Sequence, residues 1–598
     1  MDFSESDEEL SIYSDPAMDT EDFSNMRSFD DIVHDVINEN ESKRESSVED
    51  LIFFLDRADS EFLVKNFNFL TDLAYKCPFE NVSKPMKQYV SQLAKEISMN
   101  LSLPMVVSTF INLQNLPPLM PGSNSEIDQN RHELLVKRFL KQGFVSNLER
   151  ILVYHPSHFQ HFFDTYDYLL GNHAESTLPA SWRHYIACIA AARFNCTYVI
   201  KHHMNEFLLF EGCESWLSDS TTVPSKLANL SQLNAYLAHQ PWLIRDVHIK
   251  QLLECGWTIR ELIHAICLMV EIHGTCSIIL GCGILYEYPD KMTNKTEHFY
   301  TSTTTTEGSP LNDNMFSTPP QNEHNIEDIE DSKDIRDNTE KWLRKIENSK
   351  DDDFSPKKKK KDSSSRKEKK KYVRDPHPQW ITQKFQDSKN VKVAKRTFTP
   401  LAAKFINDGT IEGYVEYKLK LVPLDNFNWD VHAFALIDRF FSGCATRFDH
   451  EFKSIFNLTY KKLSRIEGKT VDTTQFRLFI RIYIQRLHGL SNDTRKNYDR
   501  EVNGILPRGT KTYIRNVATF PEIVDRNMFQ NLELLLDDSE RVHINLVAAT
   551  AKKQCGLIYA SKAIQNLYSL NTESSPTTNE NSTPSPSSSN KPRSVYDD

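Results

Sequence analysis

The sequence predicts an all-α protein built from two folded units. Hydrophobic residues recur at helical spacing over most of the chain, no strand–helix–strand alternation is present, and there is no glycine-rich phosphate loop. A chain of 598 residues exceeds what a single hydrophobic core normally holds, so at least two units are expected. Stretches rich in serine, threonine, lysine and proline separate the periodic regions.

These composition changes divide the chain into six segments. We expect an acidic, disordered N-terminus over 1–48, a helical prefix of unknown role with a proline-rich linker over 49–125, a helical lobe over 126–290, a disordered linker with a lysine cluster over 291–377, a second helical lobe over 378–570, and a disordered tail over 571–598. Within the linker, the charged stretch around 325–350 predicts one exposed helix.

Several helices can be placed by their spacing. The apolar run 262–286 predicts a buried core helix that ends at Gly281 and Gly283. Its Glu271 argues against a membrane span, because an ionised carboxylate at the centre of a bilayer costs on the order of 3 kcal/mol. Amphipathic patterns predict helices over 474–490 and 542–570, and residues 190–207 read as one further helix.

Charge and cysteine content restrict the function. The net charge of −11 gives no general attraction for nucleic acid or anionic membranes. Ten cysteines without a C-x-x-C pair indicate a reducing compartment, the cytosol or the nucleus, and predict no metal or cofactor. The lysine cluster 357–371 lacks interleaved aromatic residues, so nucleic-acid binding is not favoured; a solvated tether and a nuclear import signal both stay open.

A thiol site is the first candidate for chemistry. Cys196, Tyr198 and His203 share the stretch 190–207, and Val199 stands where a second thiol would complete a C-x-x-C motif. In a regular helix Cys196 and His203 are about 10.5 Å apart along the axis, so only a relay could join them, and His184 could contribute to one. The alternative is that Cys196 is a small buried hydrophobic residue.

Short blocks in a fixed order carry a family resemblance. Trp182-Arg-His-Tyr-Ile186, Leu237-Ala-His-Gln-Pro-Trp-Leu-Ile244 and Gly281-Cys-Gly283, followed by Asn457-Leu-Thr-Tyr460 and Ser539-Glu-Arg-Val-His-Ile-Asn545, resemble the sestrin family. The resemblance implies two pseudo-symmetric helical lobes of the carboxymuconolactone decarboxylase/AhpD-like fold. It also implies a weak alkyl hydroperoxide reductase activity, for which Cys196, Tyr198 and His203 match the residues that the family uses.

The resemblance further implies an amino-acid pocket in the second lobe, since sestrins bind free leucine. Arg477 matches the arginine that holds the carboxylate and Glu540 the glutamate that holds the ammonium group, while the matching lining residues are Thr459, Tyr460, Thr473 and His155. Two of these residues also have simpler explanations: Thr473 could be only a helix N-cap, and Glu540 with Asp537 could form a capping box.

Three departures from the family pattern alter the slot for the amino-acid side chain. Glu533 replaces the tryptophan lid of the leucine-sensing members, Lys462 replaces a lining threonine, and Phe476 stands at an apolar wall position. Burying a leucine side chain contributes roughly 1.5–3 kcal/mol, so loss of an apolar lid weakens binding. We therefore expect weak binding of leucine or binding of a different amino acid.

The last implied site is a partner surface. Sestrins bind the GATOR subcomplex that promotes target-of-rapamycin signalling, through a surface with two adjacent aspartates, of which only Asp493 is present here. Arg508, Lys511 and Arg515 match a nearby basic set, although so polar a region is also typical of plain solvated surface. A regulator that restrains target-of-rapamycin signalling is the favoured function, and a single-cysteine antioxidant enzyme is the alternative.

Overall fold

The structure is a computed structural model that describes residues 27–97, 106–121, 125–287, 327–349, 398–406, 422–423, 426–456, 460–466, 469–491 and 498–573. It is all-α, as the sequence predicts. Four helices form the prefix: α1 (Phe29–Val36), α2 (Glu41–Leu55), α3 (Ser60–Tyr75) and α4 (Glu80–Glu96).

The described part of the first lobe contains ten α-helices. They are α5 (Glu126–Gln142), α6 (Asn147–Leu152), α7 (Pro156–Leu170), α8 (Ala180–Ala192), α9 (Thr197–Leu209), α10 (Ser215–Ser218), α11 (Ser225–Ala228), α12 (Leu230–His239), α13 (Asp246–Glu254) and α14 (Ile259–Gly281). Helix α15 (Glu327–Ser349) and the single turn α16 (Pro400–Ala403) follow.

The second lobe begins with a π-helical turn, Trp429–Ala433. Its α-helices are α17 (Phe434–Phe440), α18 (Cys444–Ser454), α19 (Thr474–Leu487), α20 (Tyr498–Ile505), α21 (Arg508–Thr519), α22 (Arg526–Gln530) and α23 (Asp538–Glu573). Among the described residues the strands are two residues long: β1 (Val422–Pro423) pairs in parallel with β4 (Leu490–Ser491), and β2 (Arg465–Ile466) pairs antiparallel with β3 (Lys469–Thr470).

The two lobes repeat one order of elements. In the first lobe α12 is followed by a 3₁₀ turn (Pro241–Leu243), then α13 and the long α14. In the second lobe α21 is followed by a 3₁₀ turn (Pro521–Ile523), then α22 and the long α23. In both cases a proline opens the 3₁₀ turn, where its missing N–H costs nothing. This repetition agrees with the expected pseudo-symmetry.

The long helices of the two lobes pack against each other and form the common core. Helix α14 lies against α23, and α7 lies against α18. Among the described helices α14 alone is long and apolar enough to cross a membrane, and its most apolar stretch is entirely buried inside the protein. The expectation of a buried core helix that ends at the glycines is thus confirmed, since α14 ends at Gly281 and Gly283 takes a φ of +61°.

The predicted disorder of residues 1–48 is wrong for residues 29–48. These residues form α1 and the start of α2, because Ser28 and Asn40 cap the two helices and an apolar face at i, i+3, i+4 and i+7 is buried. That face consists of Phe29, Ile32, Val33 and Val36. Acidic residues concealed the pattern in the sequence.

The linker prediction also needs correction at α15. Helix α15 forms where the charged stretch predicts a helix, but it is not fully exposed: Leu343 and Ile346 are buried against the second lobe. Residues 398–406, assigned to the second lobe from the sequence, instead contact the first lobe. There the Thr399 N–H donates to Asn195 Oδ1 at 2.9 Å, and the Phe405 ring lies 5.7 Å from that of Tyr185.

Candidate functional site

Cys196 lies at a break between two helices rather than within one. The expectation of a single helix over 190–207 is wrong, because α8 ends at Ala192 and α9 begins at Thr197. Asn195 takes a positive φ of 52° in the turn, a conformation that asparagine tolerates better than most residues. Cys196 occupies the N-cap position of α9 and is fully buried.

A second thiol lies near Cys196 and comes from the core helix α14. It belongs to the buried Cys276, which is close enough to Cys196 for the two thiols to interact electrostatically. Burial, followed by this neighbouring thiol, raises the pKa of Cys276 well above the ordinary value. Local spacing could not reveal this pair, because the second cysteine lies on a different helix.

His203 and Tyr198 are engaged elsewhere. The Nε2 atom of His203 is 2.9 Å from the Tyr166 hydroxyl, and its Nδ1 atom is 3.0 Å from Nδ1 of His184. The Tyr198 hydroxyl donates to the Glu287 carboxylate at 2.6 Å. Burial lowers the pKa of His203 well below its ordinary value, so the ring is neutral at pH 7. The described contacts place neither side chain on the Cys196 thiol.

Arg477 is a buried cation held by neutral groups. Its guanidinium donates to the Thr473 hydroxyl at 2.9 Å, the Thr474 hydroxyl at 3.0 Å and the Phe456 carbonyl at 3.2 Å. Among the described residues no carboxylate is within ion-pair distance of it, and burial lowers its pKa. Thr473 therefore does not cap α19 with its side chain; Asp472 does so instead, by accepting the Thr474 N–H at 2.8 Å.

Glu540 is buried at the start of α23, where it forms the suggested capping box, while its proposed role in holding an ammonium group stays a prediction. Its carboxylate accepts the Asp537 N–H at 3.3 Å while Asp537 accepts the Glu540 N–H at 2.8 Å, which is the reciprocal pattern of a capping box. It also accepts the N–H groups of Lys462 at 2.7 Å and Leu463 at 3.1 Å. Burial raises the pKa of Glu540. The carboxylate thus fixes the 460–463 loop onto α23.

Tyr460 lies between these two charges. Its ring centroid is 5.6 Å from the Arg477 guanidinium carbon, and its hydroxyl is 2.7 Å from Nδ1 of His543. Glu540 is near enough to act electrostatically on the same phenol. The sequence-predicted residues Arg477, Tyr460 and Glu540 are therefore brought together, and both charged groups are buried.

A cleft between the lobes opens beside Tyr460 and Glu540, whereas Arg477 and Thr473 are not among the described residues that line it. The cavity, of about 870 Å³, is lined by His155 from the first lobe and by Tyr460, Lys462 and Glu540 from the second. His155 Nε2 is 2.8 Å from the Ser539 carbonyl, and burial lowers the pKa of His155 to about 4, so the ring is neutral. His155 thus reaches the cleft from the first lobe, and its contribution to an amino-acid site stays a prediction.

The structure shows what each of the three residues that depart from the family pattern, Glu533, Lys462 and Phe476, contacts. Glu533 has a φ of +61° and its side chain accepts the Gly509 N–H at 3.0 Å, so it caps α21. The Lys462 side chain is exposed and lines both the inter-lobe cleft and an adjoining cavity of about 520 Å³. Phe476 is fully buried behind Tyr460, with 6.2 Å between the ring centroids.

The predicted basic partner residues lie on one helix. Arg508, Lys511 and Arg515 are spaced i, i+3 and i+7 along α21, which places them on one face. Arg508 is exposed, and the other two are half-buried. Thr459 and Asp493, like the lysine cluster 357–371, are outside the described residues.

A buried charge cluster joins the two lobes. The ammonium group of Lys553 in α23 donates to Glu271 of α14 at 2.6 Å and to Glu451 of α18 at 2.7 Å. All three side chains are almost completely shielded from solvent. The sequence analysis did not pair these three residues. Their charged side chains stand within otherwise apolar helices, and that pattern could have indicated a buried charge cluster.

Two helical lobes that repeat one order of elements and enclose a cleft between them define a two-lobed all-α protein, with the buried Glu540 carboxylate on the wall of that cleft. A sequence model described as PA26 p53-induced protein (sestrin) matches residues 107–568. This chain belongs to the sestrin family.

Three curated relatives give the degree of similarity. Sestrin-2 of Bos taurus is 31% identical over 469 residues, which cover 76% of this chain and 92% of the relative. Sestrin-2 of Homo sapiens is 30% identical over 469 residues, with 76% and 90% covered. Sestrin-3 of Mus musculus is 29% identical over 451 residues, with 73% and 87% covered. The prefix α1–α4 precedes the part that the family model matches.

Proposed function

We propose that this chain is a stress and nutrient regulator that restrains target-of-rapamycin complex signalling by binding the GATOR subcomplex, and that a free amino acid gates this binding. Arg477 carries the proposal. A guanidinium removed from water without a carboxylate partner is costly, and a bound anion removes that cost. The carboxylate of an amino acid supplies this anion, and Glu540 supplies the opposite charge for the ammonium group.

A physical connection between the pocket and the partner surface supports gating. Glu540 holds the start of α23, and the chain between α22 and α23 carries Glu533, whose carboxylate holds the first turn of α21. The basic residues Arg508, Lys511 and Arg515 lie on α21. A ligand that competes for the Glu540 carboxylate therefore acts on the segment that positions α21.

Calorimetry on the full chain tests the pocket. We expect leucine to bind weakly and the Arg477→Lys variant to bind it at least about tenfold more weakly, because lysine cannot form the paired N–H contacts of a guanidinium. Arg260→Lys, at an exposed arginine of the first lobe, is the matched control and should bind like the parent. Equal affinities of the parent and Arg477→Lys for every amino acid tested would contradict the proposed carboxylate contact.

Affinity purification with the purified GATOR subcomplex tests the partner. The full chain should retain the subcomplex, and Arg508→Ala combined with Arg515→Ala should lower the retained amount severalfold. Lys250→Ala, at an exposed lysine of the first lobe, should leave it unchanged. Equal retention by the double variant would place the partner surface elsewhere.

We further propose that the protein acts in the cytosol and that the 357–371 lysine cluster also directs its import into the nucleus. Deletion of that cluster tests the second part, since it should remove the protein from the nucleus and leave it in the cytosol.

The proximity of the Cys276 thiol to Cys196 favours a second candidate function, reduction of alkyl hydroperoxides. In this reaction the Cys196 thiolate attacks the peroxide oxygen, giving a sulfenic acid and an alcohol. The Cys276 thiol then displaces water and forms a disulfide, which an external dithiol must reduce. Cys196→Ser should abolish consumption of cumene hydroperoxide, and Cys276→Ser should prevent repeated turnover; activity equal to that of the parent in Cys196→Ser would exclude this function.

A further inference from the structure

Helix α15 is anchored on the second lobe by one face. Its residues Thr339, Leu343 and Ile346 recur at i, i+4 and i+7 and are buried, while Lys341, Arg344 and Lys345 point outward. The Trp342 indole N–H donates to the Ile505 carbonyl at the end of α20, with 2.6 Å between the heavy atoms. This combination of apolar burial and directed hydrogen bonds fixes both the position and the rotation of the helix.

Two contacts connect α15 to the cluster around Arg477 and Glu540. The Trp342 ring meets the Phe476 ring edge-on, with centroids 5.2 Å apart and an interplanar angle of 86°. Phe476 in turn contacts Tyr460, which lines the inter-lobe cleft. The second contact is a hydrogen bond at 2.9 Å from the Leu535 N–H to the Thr339 hydroxyl. Leu535 belongs to the segment between α22 and α23 that also carries Glu533.

A second cavity also connects α15 to the inter-lobe cleft. The cavity of about 520 Å³ is lined by Ile335 of α15 and by Glu533 and Leu535. It shares Lys462, Leu536 and Asp538 with the inter-lobe cleft, so the two spaces adjoin. Helix α15 therefore borders the region where the glutamate at position 533 leaves no aromatic lid.

We propose that α15 is the clamp of the amino-acid site and that Trp342 is its specificity-determining residue. This inference rests on the proposed function. Trp342 is a positioning residue: it holds Phe476, Phe476 holds Tyr460, and Tyr460 forms the wall of the cleft. Thr339 holds the neighbouring segment in place. Through Phe476 and Tyr460, the ring of Trp342 thus sets how far this wall of the cleft can move back from a bound side chain.

Calorimetry on the full chain, with leucine and phenylalanine as probes, tests the clamp. In Trp342→Ala, Phe476 loses its support and the slot deepens. We expect leucine to bind at least about tenfold more weakly than in the parent, which corresponds to about 1.4 kcal/mol. The phenylalanine affinity should rise, because the deeper slot accepts the larger ring. The ratio of the leucine affinity to the phenylalanine affinity should therefore fall by more than the leucine affinity itself.

Two further variants separate specificity from loss of structure. Trp342→Phe keeps an aromatic ring against Phe476 but loses the hydrogen bond to Ile505, so its affinity ratio should stay near that of the parent. Lys341→Ala, at an exposed position of the same helix, is the matched control. Thermal unfolding of each variant shows whether the lobes remain folded.

The outcomes are distinct. If neither probe binds to the parent, the proposed amino-acid pocket fails and the clamp fails with it. If the parent binds and Trp342→Ala has the same affinities and the same ratio, the pocket stands and the clamp is overturned. A lower leucine affinity together with a shifted ratio in Trp342→Ala alone supports the clamp.

Discussion

At the scale of single residues, Gly274 shows how tightly the charge cluster is packed. The stem of Lys553 crosses α14 directly over Gly274, where an added Cβ would be 2.0 Å from Lys553 Cε. The lysine cannot move aside, because its ammonium group is bound to Glu271 and Glu451. A glycine in the middle of a helix normally costs stability, so its presence here reflects this close approach.

Gly274→Ala should therefore destabilise the protein, although alanine is the better helix former. We expect a loss of about 1–3 kcal/mol in the free energy of unfolding, measured by denaturant titration. Gly504→Ala is the matched control, since an added Cβ there would meet nothing nearer than 3.6 Å and should be neutral or slightly stabilising. Equal stability of Gly274→Ala and the parent would show that the lysine can move.

The sequence could predict some residue-level features and not others. Tyr460 and Glu540 were predictable because each stands in a block that carries the family resemblance, and Arg477 was predictable because the resemblance assigns the carboxylate-binding arginine to its position. Both simple explanations could also be stated from sequence: the capping box at Glu540 is confirmed, whereas the side-chain cap at Thr473 is not. The proximity of Cys276 to Cys196 could not be predicted, since tertiary packing alone joins α14 to the turn before α9.

At the scale of elements, the turn between α8 and α9 depends on Asn195. The residue combines a φ of +52° with a side chain that accepts the Thr399 N–H. Sequence periodicity missed this break because the turn contains neither glycine nor proline. By contrast, α14, α19 and α23 end within a few residues of their predicted limits, because each has an extended amphipathic or apolar pattern.

Asn195→Val should lower the melting temperature by several degrees, since a β-branched residue at positive φ is strained by about 1–3 kcal/mol. Asn195→Asp keeps an acceptor and tolerates the left-handed conformation, so it should stay close to the parent. Differential scanning fluorimetry of the two variants measures the difference. A valine variant as stable as the aspartate variant would mean that the turn can relax.

The prefix is a second element whose packing the sequence did not predict. Phe79 packs edge-on against Phe139 of α5, with ring centroids 5.7 Å apart, and Arg44 stacks on Phe79 from the prefix side. Phe79 is half-buried, so Phe79→Ala should cost about 1–3 kcal/mol if this contact is part of the cooperative core. Phe53→Ala, at a half-exposed phenylalanine of α2, is the control and should change little. A loss confined to local hydrogen-exchange protection would instead show that the prefix unfolds separately.

At the scale of the whole molecule, the Lys553 cluster couples stability to pH. Burial, and then the neighbouring Glu451 carboxylate, raise the pKa of Glu271 to about 8 from an ordinary value of 4.5, although Lys553 opposes the shift. The folded protein thus holds a proton that the unfolded chain releases. This proton stabilises the fold at low pH, and the contribution is lost as the pH rises through about 8.

Glu271→Gln should remove this dependence, because glutamine resembles the protonated carboxyl group. Denaturant titrations at several pH values between 6 and 9 should show the parent losing stability with rising pH more steeply than Glu271→Gln. Lys553→Met serves as the contrasting variant: it leaves Glu451 buried without its cation and should be destabilised by about 3–5 kcal/mol near neutral pH. Parallel pH profiles of the parent and Glu271→Gln would assign the titration to another group.

The shared cluster also constrains how the two halves can change over evolutionary time. Because Glu271 already holds a proton near neutral pH, a neutral polar residue can replace it without upsetting the charge balance. Glu451 and Lys553 form the pair that carries charge, so the loss of either leaves the other buried and uncompensated. Drift at position 451 or 553 is therefore tolerable only when a compensating replacement follows at the other position.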